Sequence, residues 1–128
     1  MSPARCPCGT GLVYPECCGR LHAGNAPAAT AEQLMRSRYS AFVVGDTEHL
    51  LVTWHPDTRP ADLDLDDDVR WLGLDVLDVV DGGLLAAEGT VEFRASYLHD
   101  GSRGAQHERS RFARVDRRWV YLDGVALP

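Results

Sequence analysis

All four cysteines of the chain lie within its first 18 residues, and the other 110 contain none. They read Cys6-Pro7-Cys8, then eight residues, then Cys17-Cys18. A segment this short has little core of its own, so a shared metal would supply most of its folding energy. Zinc binds four thiolates in a closed tetrahedron at about 2.3 Å, and such closed sites are structural rather than catalytic. Gly9 and Gly11 allow the loop to fold back between the ligand pairs, because glycine accepts positive φ at little steric cost. Gly19 follows the last ligand in the same role. The spacing predicts Cys6, Cys8, Cys17 and Cys18 as a tetrathiolate site for Zn2+. Iron is the lesser alternative, because soft thiolates suit it as well. Disulfides are the competing reading, although Cys-x-Cys and adjacent Cys-Cys are awkward neighbours for bridges within a pair. His22 is a spare ligand for which a filled tetrahedron leaves no room.

The compartment bears on this choice. The chain opens Met-Ser-Pro-Ala-Arg-Cys, without an apolar signal-peptide core. No run approaches the ~18–20 apolar residues of a membrane helix. A cytoplasmic protein with reduced or metal-bound thiols and no membrane partner is the expectation. The net charge of −6 argues against nonspecific nucleic-acid binding, which needs a basic surface. Acids cluster between Asp57 and Asp68, and arginines between Arg109 and Arg118. Runs of this kind are usually solvated faces.

Beyond the cysteines the chain divides into a knuckle over 1–24 and one α+β domain over 25–128. Ala23–Ala29 is a linker by composition. Thr30 and Gln33 form a capping box for a helix that runs to about Val44 and ends at Gly45. Met35, Tyr39, Phe42 and Val43 mark its expected buried stripe. Asp46 caps a second short helix that ends near Trp54, before Pro56. After an acidic loop the period changes to that of strands. Val69–Val80, Leu84–Leu98, Gln106–Val115 and Arg118–Asp123 are predicted as a meander with His99–Gly104 as a loop. Val91, Phe93, Ala95 and Tyr97 form one face of the second strand. Helices first and consecutive hairpins after give an antiparallel sheet curved around the helices into a cone.

Two resemblances sharpen this picture. Cys-Pro-Cys-Gly-Thr-Gly, Tyr14 and Glu16-Cys17-Cys18-Gly19 resemble the SEC-C motif, a knuckle that serves elsewhere as a docking module. Lysines usual between the ligand pairs of that motif are absent, and the chain has no lysine at all. Five further strings complete a likeness to one family: Leu34–Phe42, Thr53-Trp54-His55-Pro56, Trp71–Leu74, Glu108–Phe112 and Trp119–Gly124. Together with the knuckle they resemble the YchJ-like family of bacterial proteins over nearly the whole chain. The resemblance implies a nuclear transport factor 2-like domain with its helices packed on the curved sheet. The family's biochemical function is uncharacterised.

Two functions are open at this level. The first is a noncatalytic adaptor whose knuckle docks a protein partner, with Arg5 and Arg20 as its only basic residues. The second is a small-molecule binder or enzyme that uses the cone cavity. For catalysis His55 is the candidate base, oriented by Asp75 or Glu108, with Arg94 completing the polar set. For ligand binding the candidates are Arg36, Arg38, Tyr39, Trp54 and Trp71, with Arg109 and Arg111 sharing one strand face. His107 and Glu108 point to opposite faces and cannot form a dyad. Oligomeric state is not readable.

Overall fold

The computed structural model describes residues 4–128, so the first three positions of the expected knuckle lie outside the described residues. A 3-10 turn at Tyr14–Glu16 leads into helix α1 (Cys18–His22), α2 (Ala31–Val44) and α3 (Thr47–Val52). Four strands follow: β1 (Val69–Asp81), β2 (Glu88–His99), β3 (Ser102–Val115) and β4 (Arg118–Ala126). They form one antiparallel sheet in sequence order. This is the expected α+β arrangement, with α2 lying across the sheet. No helix among the described residues is long and apolar enough to cross a membrane.

Local chemistry sets the helix ends. The Thr30 hydroxyl accepts the Gln33 N–H at 3.0 Å, as a capping residue should. The Gln33 carboxamide, however, accepts from Ala29 N–H at 2.6 Å rather than from Thr30, so the box closes one residue early. Gly45 ends the helix in the left-handed region, and its N–H donates to Ala41. Asp46 caps α3 through the His49 N–H.

The buried stripe of α2 differs from the expected one. Met35 and Tyr39 are buried, but Phe42 and Val43 are exposed. Leu34 and Ala41, expected to widen the stripe, are buried, and Ala31, Ser37, Arg38 and Ser40 join them. The stripe widens because α2 is covered by the cysteine segment and α3 as well as by the sheet.

Two strand boundaries also move. Residues 83–87 form a loop rather than the start of β2, and Leu84 and Leu85 are exposed. The loop is tied down by Arg114, which donates to the carbonyls of Ala86 at 2.8 Å and Leu84 at 2.7 Å while stacking on Trp119. Conversely, the expected loop His99–Gly104 is mostly strand. His99 pairs with Ser102 across Asp100-Gly101, whose φ angles are 51° and 80°. Both central residues are left-handed, as in the primed two-residue turns that match strand twist.

The core lies between α2 and the inner face of the sheet. Val91, Phe93 and Ala95 of β2 are buried there with Phe112 of β3 and Trp119 of β4. One more segment closes the cone. Trp54 forms a parallel bridge to Tyr121, with His55 N–H donating to Tyr121 O and Tyr121 N–H to Thr53 O, both at 2.7 Å. The Thr53-Trp54-His55 string is thus a short extra strand on β4. The period of two sends Trp54 to the cavity side and His55 away from it.

Candidate functional site

The knuckle is built by a tight reversal. Arg5 bridges Val13, and the Cys6 N–H donates to Leu12 O at 2.8 Å. This brings Cys6 and Cys8 opposite Cys17 and Cys18 at the start of α1. All four sulfurs lie within 4.8 Å of one another, with Cys8 and Cys17 at 3.6 Å. A tetrathiolate zinc tetrahedron with bonds of about 2.3 Å has edges of about 3.8 Å, so the donor set fits one such ion. Cys6, Cys8 and Cys18 are buried and Cys17 is half-buried; all four are free of disulfides. The Cys8 thiol is lowered to about 4, first because the Cys18 thiol hydrogen-bonds to it. Cys18 is correspondingly pushed up by the same contact, and burial raises Cys17. A cluster that stabilises one thiolate at the expense of its neighbours suits a shared cation.

The knuckle is clamped to α2. Arg36 donates to Cys8 O at 2.6 Å and to Glu32 at 3.0 Å. The Cys6 sulfur and the Ser40 hydroxyl lie 3.4 Å apart. His22 is a strut rather than a spare ligand. The Tyr14 hydroxyl donates to its Nδ1 at 2.6 Å, and its Nε2–H donates to Ser37 O at 2.8 Å. His49 of α3 packs against the same ring, with centroids 4.5 Å apart. Arg36, expected as a ligand-binding residue, is therefore spent on holding the knuckle.

On the opposite side of α2 a cavity of about 140 Å³ opens between the helix and the sheet. Its apolar wall is aromatic, with Tyr39 edge-on to Trp71 at 6.0 Å and Phe112 edge-on to Tyr121 at 5.9 Å. Its polar groups are Arg38, Trp54, Gln106, Glu108 and Ser110. Arg38 is only 6 % exposed. Its Nη1 donates to Leu50 O and Thr53 Oγ1, both at 2.7 Å. The guanidinium stacks on Tyr121 at 4.6 Å and Trp54 at 5.1 Å. Among the described residues no carboxylate is within ion-pair distance of it, and its Nε and Nη2 have no hydrogen-bond partner. Burial lowers Arg38 to about 10, opposed by the charges of Tyr121 and Glu108, so it remains a cation at neutral pH. Tyr121 is raised to about 12, chiefly by burial and then by Glu108. The indole N–H of Trp54 is buried without any partner.

Glu108 has a made place. Ser110 donates to its Oε2 at 3.0 Å. A Cβ on Gly124 would stand 2.6 Å from the carboxyl carbon, so a larger residue there would push the carboxylate from this position.

The expected catalytic set is not assembled. His55 lies outside the cavity, and its Nδ1 accepts from the Asp57 N–H at 3.0 Å. Asp75 and Arg94 face each other across β1 and β2 on the exposed outer face of the sheet. Only Glu108 of that set lines the cavity. Arg109 and Arg111 also lie on the outer face, engaged by Glu92 at 3.1 Å and Asp123 at 2.6 Å. Those pairs lower both carboxylates, Glu92 first through His107 and then Arg109, and Asp123 through Arg111. Tyr39, Trp54, Trp71 and Arg38, the remaining candidates for ligand binding, line the cavity. Sequence reasoning missed Gln106 and Ser110. The signal was present: Gln106, Glu108 and Ser110 alternate on a strand face that continues into buried Phe112. Polar side chains on a core-facing stripe are costly unless they have partners.

With this geometry in view, the likenesses to known proteins can be placed. A family model described as YchJ, middle NTF2-like domain, matches residues 30–124. A UPF0225 protein of Streptomyces coelicolor is 60 % identical over 122 residues, covering 95 % of both chains. The solution structure of a SEC-C motif containing protein from Rhodopseudomonas palustris superposes with a TM-score of 0.84 at 36 % identity, over 96 % of this chain and 98 % of that one. The crystal structure of a sec-c motif containing protein from Psychrobacter arcticus gives 0.77 at 31 % identity, over 96 % of this chain and 82 % of that one.

Proposed function

The chain belongs to the YchJ-like, or UPF0225, family, and from that premise we propose that it is a small-molecule-binding protein whose ligand site is the cone cavity and whose knuckle holds a structural zinc ion. The observation that carries this reading is a pair of unspent donors. Arg38 is a buried cation without an acidic partner, and Trp54 lines the same cavity with a buried indole N–H that meets no acceptor. Leaving the buried indole N–H unpaired costs about 1–3 kcal/mol, a cost that an acceptor on a bound ligand removes, and the free Nε and Nη2 of Arg38 offer that acceptor a charged second donor. A cavity filled by Trp54, Trp71 and Phe93 would have argued the other way.

The metal supports this role rather than performing it. Cys6, Cys8, Cys17 and Cys18 would hold the ion, whose closed coordination supplies folding energy. The knuckle's inner side is engaged with α2 through Cys6, Cys8 and His22. Its contribution is to fix the helix that carries Arg38 into the cavity. A docking role for the outer side of the knuckle would rest on a small exposed surface that includes Arg5, Thr10, Leu12, Pro15, Glu16 and Arg20. The cavity holds more chemistry than that surface.

The test is a titration of the full-length protein, with 15N-labelled tryptophan, against ring-sized molecules such as benzene, phenol, benzoate and benzamide. The expected result is a saturable shift of the Trp54 indole signal by at least one of them. Trp119 is the internal control, because its indole N–H already donates to Ala29 O at 3.2 Å. A Trp54 signal that stays fixed with every molecule up to its solubility limit would overturn the reading.

A further inference from the structure

The geometry points to a particular ligand class for this cavity: a neutral, flat, six-membered ring that carries a carbonyl acceptor and an N–H donor, that is, a pyridone-like cyclic amide. The inference rests on the cavity being a ligand site and deepens that reading.

Size comes first. The volume is about 140 Å³. A lined cavity of about 150 Å³ accepts one benzene. The volume matches a single ring. Shape follows from the walls. Tyr39, Trp71, Phe112 and Tyr121 meet edge to face, an arrangement whose remaining faces suit a planar guest.

Polarity then selects among rings. One set of cavity groups only donates: Arg38 Nε and Nη2 and Trp54 Nε1. They ask for an acceptor. The other centres on a carboxylate, Glu108, seated in the space that Gly124 leaves and steadied by Ser110, while the Gln106 carboxamide, able to donate or accept, stands exposed at the rim. The carboxylate asks for a donor. Arg38 and Glu108 cancel in charge. A carboxylate ligand would satisfy Arg38 but place a second anion beside Glu108. An amine would satisfy Glu108 but meet Arg38. A hydrocarbon ring would leave every polar group as it is. A neutral ring with both a carbonyl and an N–H answers both sets without adding charge.

Four ring-sized probes decide the matter by calorimetry and by the Trp54 signal: 2-pyridone, 4-pyridone, benzoate and benzene. The better pyridone is expected to bind at least about tenfold more tightly than benzoate or benzene, the difference one charge-assisted hydrogen bond makes. Glu108→Gln keeps the size of the side chain and removes the charge. It should weaken the pyridone about tenfold and narrow or reverse its advantage over benzoate. Far-ultraviolet circular dichroism and zinc content confirm that this variant is folded. Benzoate or benzene binding as tightly as either pyridone overturns the inference while leaving the cavity as a ligand site. An advantage that survives Glu108→Gln unchanged overturns it too. If none of the four binds, and the wider ring set also leaves Trp54 unmoved, the cavity reading fails together with it.

Discussion

His49 shows how much a single buried side chain can govern. Its Nε2–H donates to Ser37 Oγ at 2.9 Å, because the Ser37 hydroxyl proton is already given to Leu34 O at 2.7 Å. Burial, and then the neighbouring His22, lowers it to about 4 from an ordinary 6.5. The folded chain therefore refuses a proton that the unfolded chain accepts. Stability is complete above the unfolded value and is lost as pH falls from about 6.5 toward about 4. Between about pH 7.5 and about pH 5 the loss should reach about 2 kcal/mol in urea-denaturation midpoints. His49→Gln, which does not titrate, should show a flatter dependence. Any acid-driven release of metal is common to both proteins and drops out of the comparison. Equal pH slopes would exclude His49 as the cause.

At the scale of elements, the β2–β3 hairpin rests on its two-residue turn. Gly101 has φ near 80° and open space around the position of a Cβ, so Gly101→Ala pays only for left-handed backbone. A loss of about 1–2 kcal/mol in thermal or chemical denaturation is expected. Gly83→Ala is the control. It also meets no neighbour, has no positive φ, and should change stability by less than about 0.5 kcal/mol. The same turn illustrates what was readable in the sequence. Asp100-Gly101 is a strong hairpin signal, yet the polar string around it reads as a longer loop when composition alone is weighed. The strand faces of β2 were legible because Val91, Phe93 and Ala95 alternate cleanly. The stripe of α2 was not, because the knuckle and α3 cover it as well as the sheet, partners that helical periodicity does not announce. The clustering of the four cysteines was legible from spacing, whereas the cavity was only partly so. Arg38, Tyr39, Trp54 and Trp71 could be named, but His55 was set on the wrong side, since its direction depends on a bridge to Tyr121 far along the chain.

For the whole molecule, the cysteine segment and the α+β domain act as one body through Arg36, His22 and Ser40. Protein purified without added metal should carry about one zinc per chain by elemental analysis. Stripping it with a strong chelator should free the knuckle and remove the cover from one side of α2. A fall in Tm of about 10 °C is expected, equivalent to a few kcal/mol in a domain of this size. A chelated protein that melts unchanged would mean that the ion is not what holds the segment in place.

The short bridge between Trp54 and Tyr121 has a further consequence, for the order in which the chain acquires its shape. The strand that receives Trp54, β4, follows the other three in the chain. Until β4 has emerged, Arg38 lacks Tyr121 as a stacking partner, and Thr53 and His55 have no backbone to pair with. The knuckle and α2, by contrast, meet through pairs 15 to 34 residues apart, all of them complete before β1 begins. Closing the cone is a late, long-range step of the kind that slows folding. A nascent chain thus completes its helical scaffold well before it owns a binding site, and a chain cut short of β4 would never own one.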